Sequence, residues 1–272
     1  MTSRVIISLL LICFSTSIIT GQRGTEVGGH IGTSIYFGDL NTSYNLNSPG
    51  ILIGLLTRRN FNERLSLAAG LNYGHISAKD ENSNNFYQRT RNLSFKSDVF
   101  DLNFSLEFNF FPYYHGSDDY YYTPYLFGGF SIMKYNPQAE IDNVVYDLRD
   151  FGTEGQLNGQ EYGLMSGAFV FGIGFKWDIN RDWSINTALS GRNIFSDYID
   201  DVSNAYPDLG SLSARRGPIA AQLSDRSLDP EFALPGQQRG NGKSNDLVYF
   251  ISIGIMRYFG ELPCPAISKH QF

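Results

Sequence analysis

His75-Ile76-Ser77 is the first pattern in this chain whose residue types could do chemistry. Side chains two apart on a strand share a face. An imidazole placed there can take the proton of a serine hydroxyl and make it a nucleophile, provided a third group orients the ring. The acids nearest in sequence, Asp80 and Glu81, fall in an expected loop rather than on a neighbouring strand. The pair therefore reads first as a histidine and a serine on a strand face, not as a catalytic site. Asp197, Asp200 and Asp201 form an acidic knot whose oxygens could hold calcium. A solvated or helix-capping loop accounts for them as well, and is the preferred reading. His30, His115 and His270 are scattered without metal-ligand spacing. The expectation is no catalytic, cofactor-binding or metal residue, no cofactor, and no enzyme.

The elements that must position these residues show themselves by period-two alternation. Over 99–111, Phe100, Leu102, Phe104, Leu106, Phe108 and Phe110 lie on one face, and Asp101, Asn103, Ser105, Glu107 and Asn109 on the other. Strands of soluble folds average about five or six residues, whereas a membrane-crossing strand needs about 9–11. Length favours the membrane. Leu65, Leu67, Ala69, Leu71 and Tyr73 repeat the pattern, as do Phe169 to Trp177, Trp183 to Leu189, and Tyr249 to Ile255. Less tidy segments at 25–37, 50–59 and 123–135 bring the expected number of strands to eight.

Connection lengths give an independent test. The links at 60–63 and 179–182 are tight, and the one at 112–122 is of middling length. The links at 38–49, 79–96, 136–163 and 198–245 are longer and fall at the opposite end. Such segregation marks outer-membrane barrels, with short periplasmic turns and long outer loops. Trp177, Trp183, Tyr120 to Tyr122, Tyr125 and Tyr258-Phe259 gather beside the short links, where amphipathic rings favour the headgroup level. The fold class expected is all-β: an eight-stranded antiparallel transmembrane up-and-down β-barrel.

A barrel of eight strands is filled by its own side chains. The inward set includes His30, Asp101, Asn103, Glu107, Asn109, Lys176, Asn186 and Arg192. Buried charge is costly unless paired, so Glu107 or Asp101 should neutralise Lys176 or Arg192, giving a plugged interior rather than a pore. The parity of His75 and Ser77 turns both toward lipid. Some outer-membrane barrels of this size deacylate lipid with a His-x-Ser pair, so a lipid A-modifying hydrolase using His75 and Ser77 is the alternative function. The loop at 198–245 should fold back on the barrel mouth or meet a partner.

The remaining features bound the class. Arg4, the apolar run Val5 to Ile12 and the small residues before Gln22 have the order of a signal peptide over 1–21. The barrel then occupies 22–260, and 261–272 is a C-terminal periplasmic tail. Aromatics make up 15% of the chain and no mature run is long enough for a spanning helix, which fits a membrane barrel. A net charge of −6 offers no basic footprint for nucleic acid. Cys13 leaves with the leader, so Cys264 stands alone and no internal disulfide is expected. Outer-membrane lipid is an expected partner, and a small-molecule substrate is not.

Several stretches carry a resemblance. They are Phe37-Gly38-Asp39-Leu40, Arg91-Asn92-Leu93-Ser94-Phe95, Glu107-Phe108-Asn109 and Thr123 to Gly129. They continue with Asn136-Pro137, Gly152-Thr153-Glu154-Gly155-Gln156, Gly172 to Lys176, Asp197 to Ser203, Arg239-Gly240 and Cys264-Pro265. In this order and spacing the chain resembles the PorG-like outer-membrane barrels of Bacteroidetes, associated with type IX secretion. Ile199 stands where that family more often carries leucine, and the tail after Pro265 matches nothing in it. The resemblance implies an accessory role in type IX secretion or gliding, with periplasmic ring or translocon proteins as partners. It also implies location in the cell outer membrane, and it carries over no catalytic residue.

Overall fold

A computed structural model describes residues 24–260. The expected leader over 1–21 with Cys13, and the tail over 261–272 with Cys264 and His270, lie outside the described residues.

Five long strands open the chain: β1 (Gly24–Phe37), β2 (Gly50–Asn60), β3 (Leu65–Lys79), β4 (Ser94–Asn109) and β5 (Tyr122–Tyr135). A short hairpin follows, β6 (Gln138–Ile141) and β7 (Val144–Asp147), and then β8 (Met165–Asp178), β9 (Trp183–Ile194) and β10 (Leu247–Gly260). Each long strand pairs antiparallel with the next, β5 passing over the hairpin to β8. β10 returns to β1 from Gly24↔Gly260 to Phe37↔Leu247, which closes an eight-stranded barrel. Closure gives each of the eight barrel strands a partner on both edges, the condition for crossing hydrocarbon with sheet.

The alternation does what it should. Leu67, Leu71, Phe100, Phe104, Phe108, Ile173, Ile251 and Ile253 are exposed on the outside. Their inward neighbours Ser66, Asp101, Asn103, Glu107, Lys176, Asn186 and Arg192 are buried. An apolar exterior around a polar interior is stable only against lipid. Trp177, Trp183, Tyr120 and Phe259 are exposed beside the tight turns, at the lower rim of this belt.

Two boundaries differ from the sequence reading. β3 and β4 run on to Lys79 and back from Ser94, slightly into the expected 79–96 link and well beyond the clear alternation at 65–74 and 99–111, and His75 and Ser77 lie near the outer end of β3. The hydrophobic signal fades there because outward residues rise out of the hydrocarbon zone, while the ladder continues. Phe110 and Phe111, conversely, lie just past the end of β4.

The long loops form a folded crown. It contains a 3-10 turn at Asp80–Asn82 and four helices: α1 (Phe86–Arg91), α2 (Leu148–Phe151), α3 (Leu209–Arg216) and α4 (Pro218–Ser224). Asn85 caps α1, Asp208 caps α3 by accepting from Ser211 N at 2.7 Å, and Pro218 starts α4. Leu40, Leu93, Leu148, Ile199, Val202 and Leu223 descend from the crown onto Tyr36, Phe95, Met133 and Phe250 at the barrel mouth. The apolar core is therefore at the outer end, and the polar core fills the shaft below.

Candidate functional site

Three polar assemblies stack along the barrel axis. The lowest joins β1, β2, β4, β8 and the turn after β4. Arg58 contacts Glu26 and Glu107, each at 2.7 Å, and Lys176 reaches Glu107 at 2.7 Å and Asn109 at 2.9 Å. Lys176 also stands over the Tyr125 ring at 4.6 Å. Gly-rich β2 hides Arg58 from a pattern search, since Leu52, Gly54 and Leu56 share its inward face. Tyr113 and His115 rise from the turn to close the floor. Tyr113 donates to Asp178, and His115 lies 3.2 Å from Glu26 and 3.0 Å from Asp178 while stacking on Tyr258. Burial opposes charge on His115, but the carboxylates of Asp178 and Glu26 outweigh it and lift the imidazole to about 9. Sequence spacing left His115 without a role; its partners come from three different segments.

The middle layer carries the second expected pair. Arg192 Nη2 lies 3.1 Å from Asp101 Oδ2, which also accepts from Asn72 at 2.7 Å and Asn103 at 3.0 Å. His30 faces inward and bonds Asn72 at 2.8 Å. Gly54 makes room for that ring: a side-chain carbon there would stand 2.4 Å from His30 Nε2. The void between these layers is about 60 Å³, room for water and nothing larger.

The crown holds the acidic knot, and it is neither solvated nor helix-capping. Asp200 and Asp201 are buried. The Tyr36 hydroxyl lies 2.5 Å from Asp200 Oδ2 and 2.8 Å from Asp246 Oδ1. One hydroxyl proton cannot serve both carboxylates at once, and their closeness around one hydroxyl favours protonation of the pair. Burial, followed by the Asp246 and Asp39 charges, holds Asp200 well above the ordinary carboxylate range, and burial does the same for Asp246. Asp197 is pushed up to about 7 by burial, with Asp39 and Glu154 adding to it. Asp201 instead accepts from Thr153 and Tyr162 and pairs with Arg239 Nη2 at 3.3 Å. Among the described residues no group of three or more His, Cys, Asp or Glu side chains is placed to hold a metal ion.

Outside the barrel, His75 and Ser77 face outward as their parity requires, both half-buried. Asp80, the sequence candidate for an orienting acid, is buried against Arg91 at 2.8 Å. Asp98 takes that place: the β3–β4 register sets it opposite His75, and its Oδ1 lies 2.9 Å from His75 Nδ1. Among the described hydrogen bonds, none joins Ser77 to the ring.

Residues 3–217 match the family described as a domain of unknown function, DUF6089. The chain belongs to this family. No curated protein matches this DUF6089 chain. Solved structures similar to it include Neisserial surface protein A, NspA, at 8% identity and TM-score 0.45, covering 86% of this chain and 97% of that one. OprG of Pseudomonas aeruginosa is 11% identical at TM-score 0.44, covering 89% and 99%. Ail of Yersinia pestis, solved with a heparin analogue, is 9% identical at TM-score 0.40, covering 88% and 99%. At such identities the likeness concerns the fold alone.

Proposed function

We propose that this DUF6089 barrel is an accessory component of the type IX protein secretion, or gliding, machinery of the outer membrane. It acts by binding periplasmic ring or translocon proteins, and that role calls for no catalysis. The observation that supports this reading is where the PorG-resembling stretches fall. Phe37 to Leu40, Arg91 to Phe95, Gly152 to Gln156, Asp197 to Ser203 and Arg239-Gly240 are far apart in the chain, yet they meet in one buried crown network. Arg91 donates to the carbonyls of Arg239 at 2.5 Å and Asp39 at 2.8 Å. Arg239 reaches Glu154 at 3.2 Å, and Glu154 accepts from Ser203 N at 2.8 Å. Asp39 accepts from Asn241 N at 2.7 Å. Gly240 is packed so closely that a side-chain carbon would stand 2.5 Å from Asp39 Oδ2.

A crown locked this way presents a fixed outer surface for translocon proteins, and a preorganised surface loses little freedom on binding; periplasmic ring proteins meet the short turns at the opposite end. The filled shaft favours docking over conduction. The test is affinity capture of the tagged protein from gently solubilised outer membranes, with crosslinking, against an unrelated barrel. Periplasmic ring or translocon proteins should be recovered above that control, and deletion should reduce secreted cargo. Recovery of the barrel alone with secretion intact would leave a structural barrel and remove the secretion role.

A further inference from the structure

Four outward side chains on β3 and β4 form a constellation for which partner binding has no use. The register sets His75 opposite Asp98 and Ser77 opposite Lys96. Opposed residues hold their Cβ atoms about 4.5–5.5 Å apart, and residues two apart share a face, so all four meet on one side of the ribbon. The Asp98 carboxylate at His75 Nδ1, 2.9 Å away, selects the tautomer with hydrogen on that nitrogen and leaves Nε2 as a base. The Tyr73 hydroxyl lies beside the same carboxylate. The β6–β7 hairpin overhangs the pair. It bounds a groove of about 600 Å³ lined by His75, Ser77, Lys79, Lys96, Gln138 and Glu140, and Glu140 is tethered to Lys96 at 3.2 Å.

Depth sets the substrate class. Leu65, Leu67, Ala69, Leu71 and Tyr73 make the outward face of β3 apolar up to His75. At about 3.3 Å per residue and a tilt near 40°, the rise from Leu65 to His75 is roughly 25 Å, the height of the apolar band. His75 therefore lies at the outer edge of the hydrocarbon, where the ester carbonyls of outer-leaflet lipids lie.

We propose that this groove is an acyl-ester hydrolase site for an outer-leaflet lipid, with Ser77 as nucleophile, His75 as base and Asp98 as a positioning residue. This activity is separate from partner binding. Ser77 Oγ bonds to the acyl carbonyl carbon as His75 Nε2 takes its proton. The bond to the lipid alcohol breaks, and the alcohol leaves with that proton. Water, deprotonated in turn by His75, attacks the acyl-serine, releasing the fatty acid and restoring Ser77. Asp98 holds the ring and offsets the imidazolium charge, and Lys96 opposes the oxyanion.

The test treats the full chain, purified from outer membranes in mild detergent, with a biotinylated fluorophosphonate, and locates the label by peptide mass spectrometry. Ser77 should be labelled, Ser77→Ala should abolish the label, and His75→Gln should slow it by roughly 100-fold. Asp98→Asn should slow it at least ten-fold and Asp98→Glu restore most of the rate, which a merely structural role would not do. Vesicles of phosphatidylethanolamine and lipid A should release free fatty acid with the wild type and not with Ser77→Ala. Wild-type labelling no faster than Ser77→Ala, in a barrel whose heat-dependent gel shift shows it folded, overturns the proposal. So does a label on another serine. Capture of secretion partners by Ser77→Ala should match the wild type, so either idea can fail without the other.

Discussion

The floor of the barrel and its crown both bury carboxylates, but they neutralise them by different means. At the floor, Glu26, Glu107 and Asp178 face Arg58, Lys176 and His115, so fixed cations balance fixed anions. In the crown, Asp200 and Asp246 share the Tyr36 hydroxyl and burial holds both well above the ordinary carboxylate range, while Asp197 is pushed up to about 7. The lesson is that the same desolvation cost has been met with counter-charge in one place and with protons in the other. The floor should respond to loss of a partner and the crown to pH.

The largest effect is expected at Arg58. Arg58→Met leaves Glu26 and Glu107 without their shared guanidinium, and breaking a buried pair costs about 3–5 kcal/mol. The urea midpoint of the refolded barrel, read by tryptophan fluorescence in micelles, should fall accordingly. The double variant Arg58→Met/Glu26→Gln should recover part of that loss. Full stability in the single variant would mean that the floor does not depend on charge pairing.

His115 sharpens the comparison by its sign. Its folded value, about 9, is raised above the ordinary 6.5, so its contribution is complete below about pH 6.5 and is lost as pH rises through about 9. A gap of that size corresponds to about 3 kcal/mol. The difference in stability between wild type and His115→Gln should be near that figure at pH 6 and vanish by about pH 10.5.

The crown should show a smaller, separate response at lower pH. Its carboxylates have raised folded values, so the folded state binds the extra protons and stability falls as pH rises from the unfolded range toward about 7 and beyond. Amide exchange over 197–206 and 238–246 should speed up between pH 5.5 and 8 beyond its intrinsic rate, with the barrel strands unaffected. Asp197→Asn should blunt that rise. A crown whose protection ignores pH would show that Asp200 and Asp246 are ionised and otherwise satisfied.

Much of the barrel was legible from sequence, because alternation is a local property. Phe100 to Phe108 point outward and Asp101 to Asn109 inward as a single strand dictates, and parity set Glu107 and Asp101 inside with Lys176 and Arg192, while the structure decides that Glu107 pairs with Lys176 and Asp101 with Arg192. Arg58 and Glu26 were missed because glycines on the inward face of β1, and glycine with leucine on that of β2, erase the alternation. Asp98 was missed for another reason. Its meeting with His75 depends on cross-strand register, which neither strand states by itself, and the ladder outlasts the apolar pattern that marks it. The crown was legible only as length and hydrophobic content. That Arg91 and Arg239 would tie Asp39, Asp80, Glu154 and Asp201 together depends on how four loops pack.

A sealed barrel that works through its surfaces is the central claim, and conductance in a planar lipid bilayer tests it most directly. Wild-type protein inserted at neutral pH should show no steady single-channel current, because the Arg58–Glu107–Lys176 layer, His115 and the crown close the shaft. A stable open channel in folded protein would contradict the account, for it would make the interior a path instead of a plug.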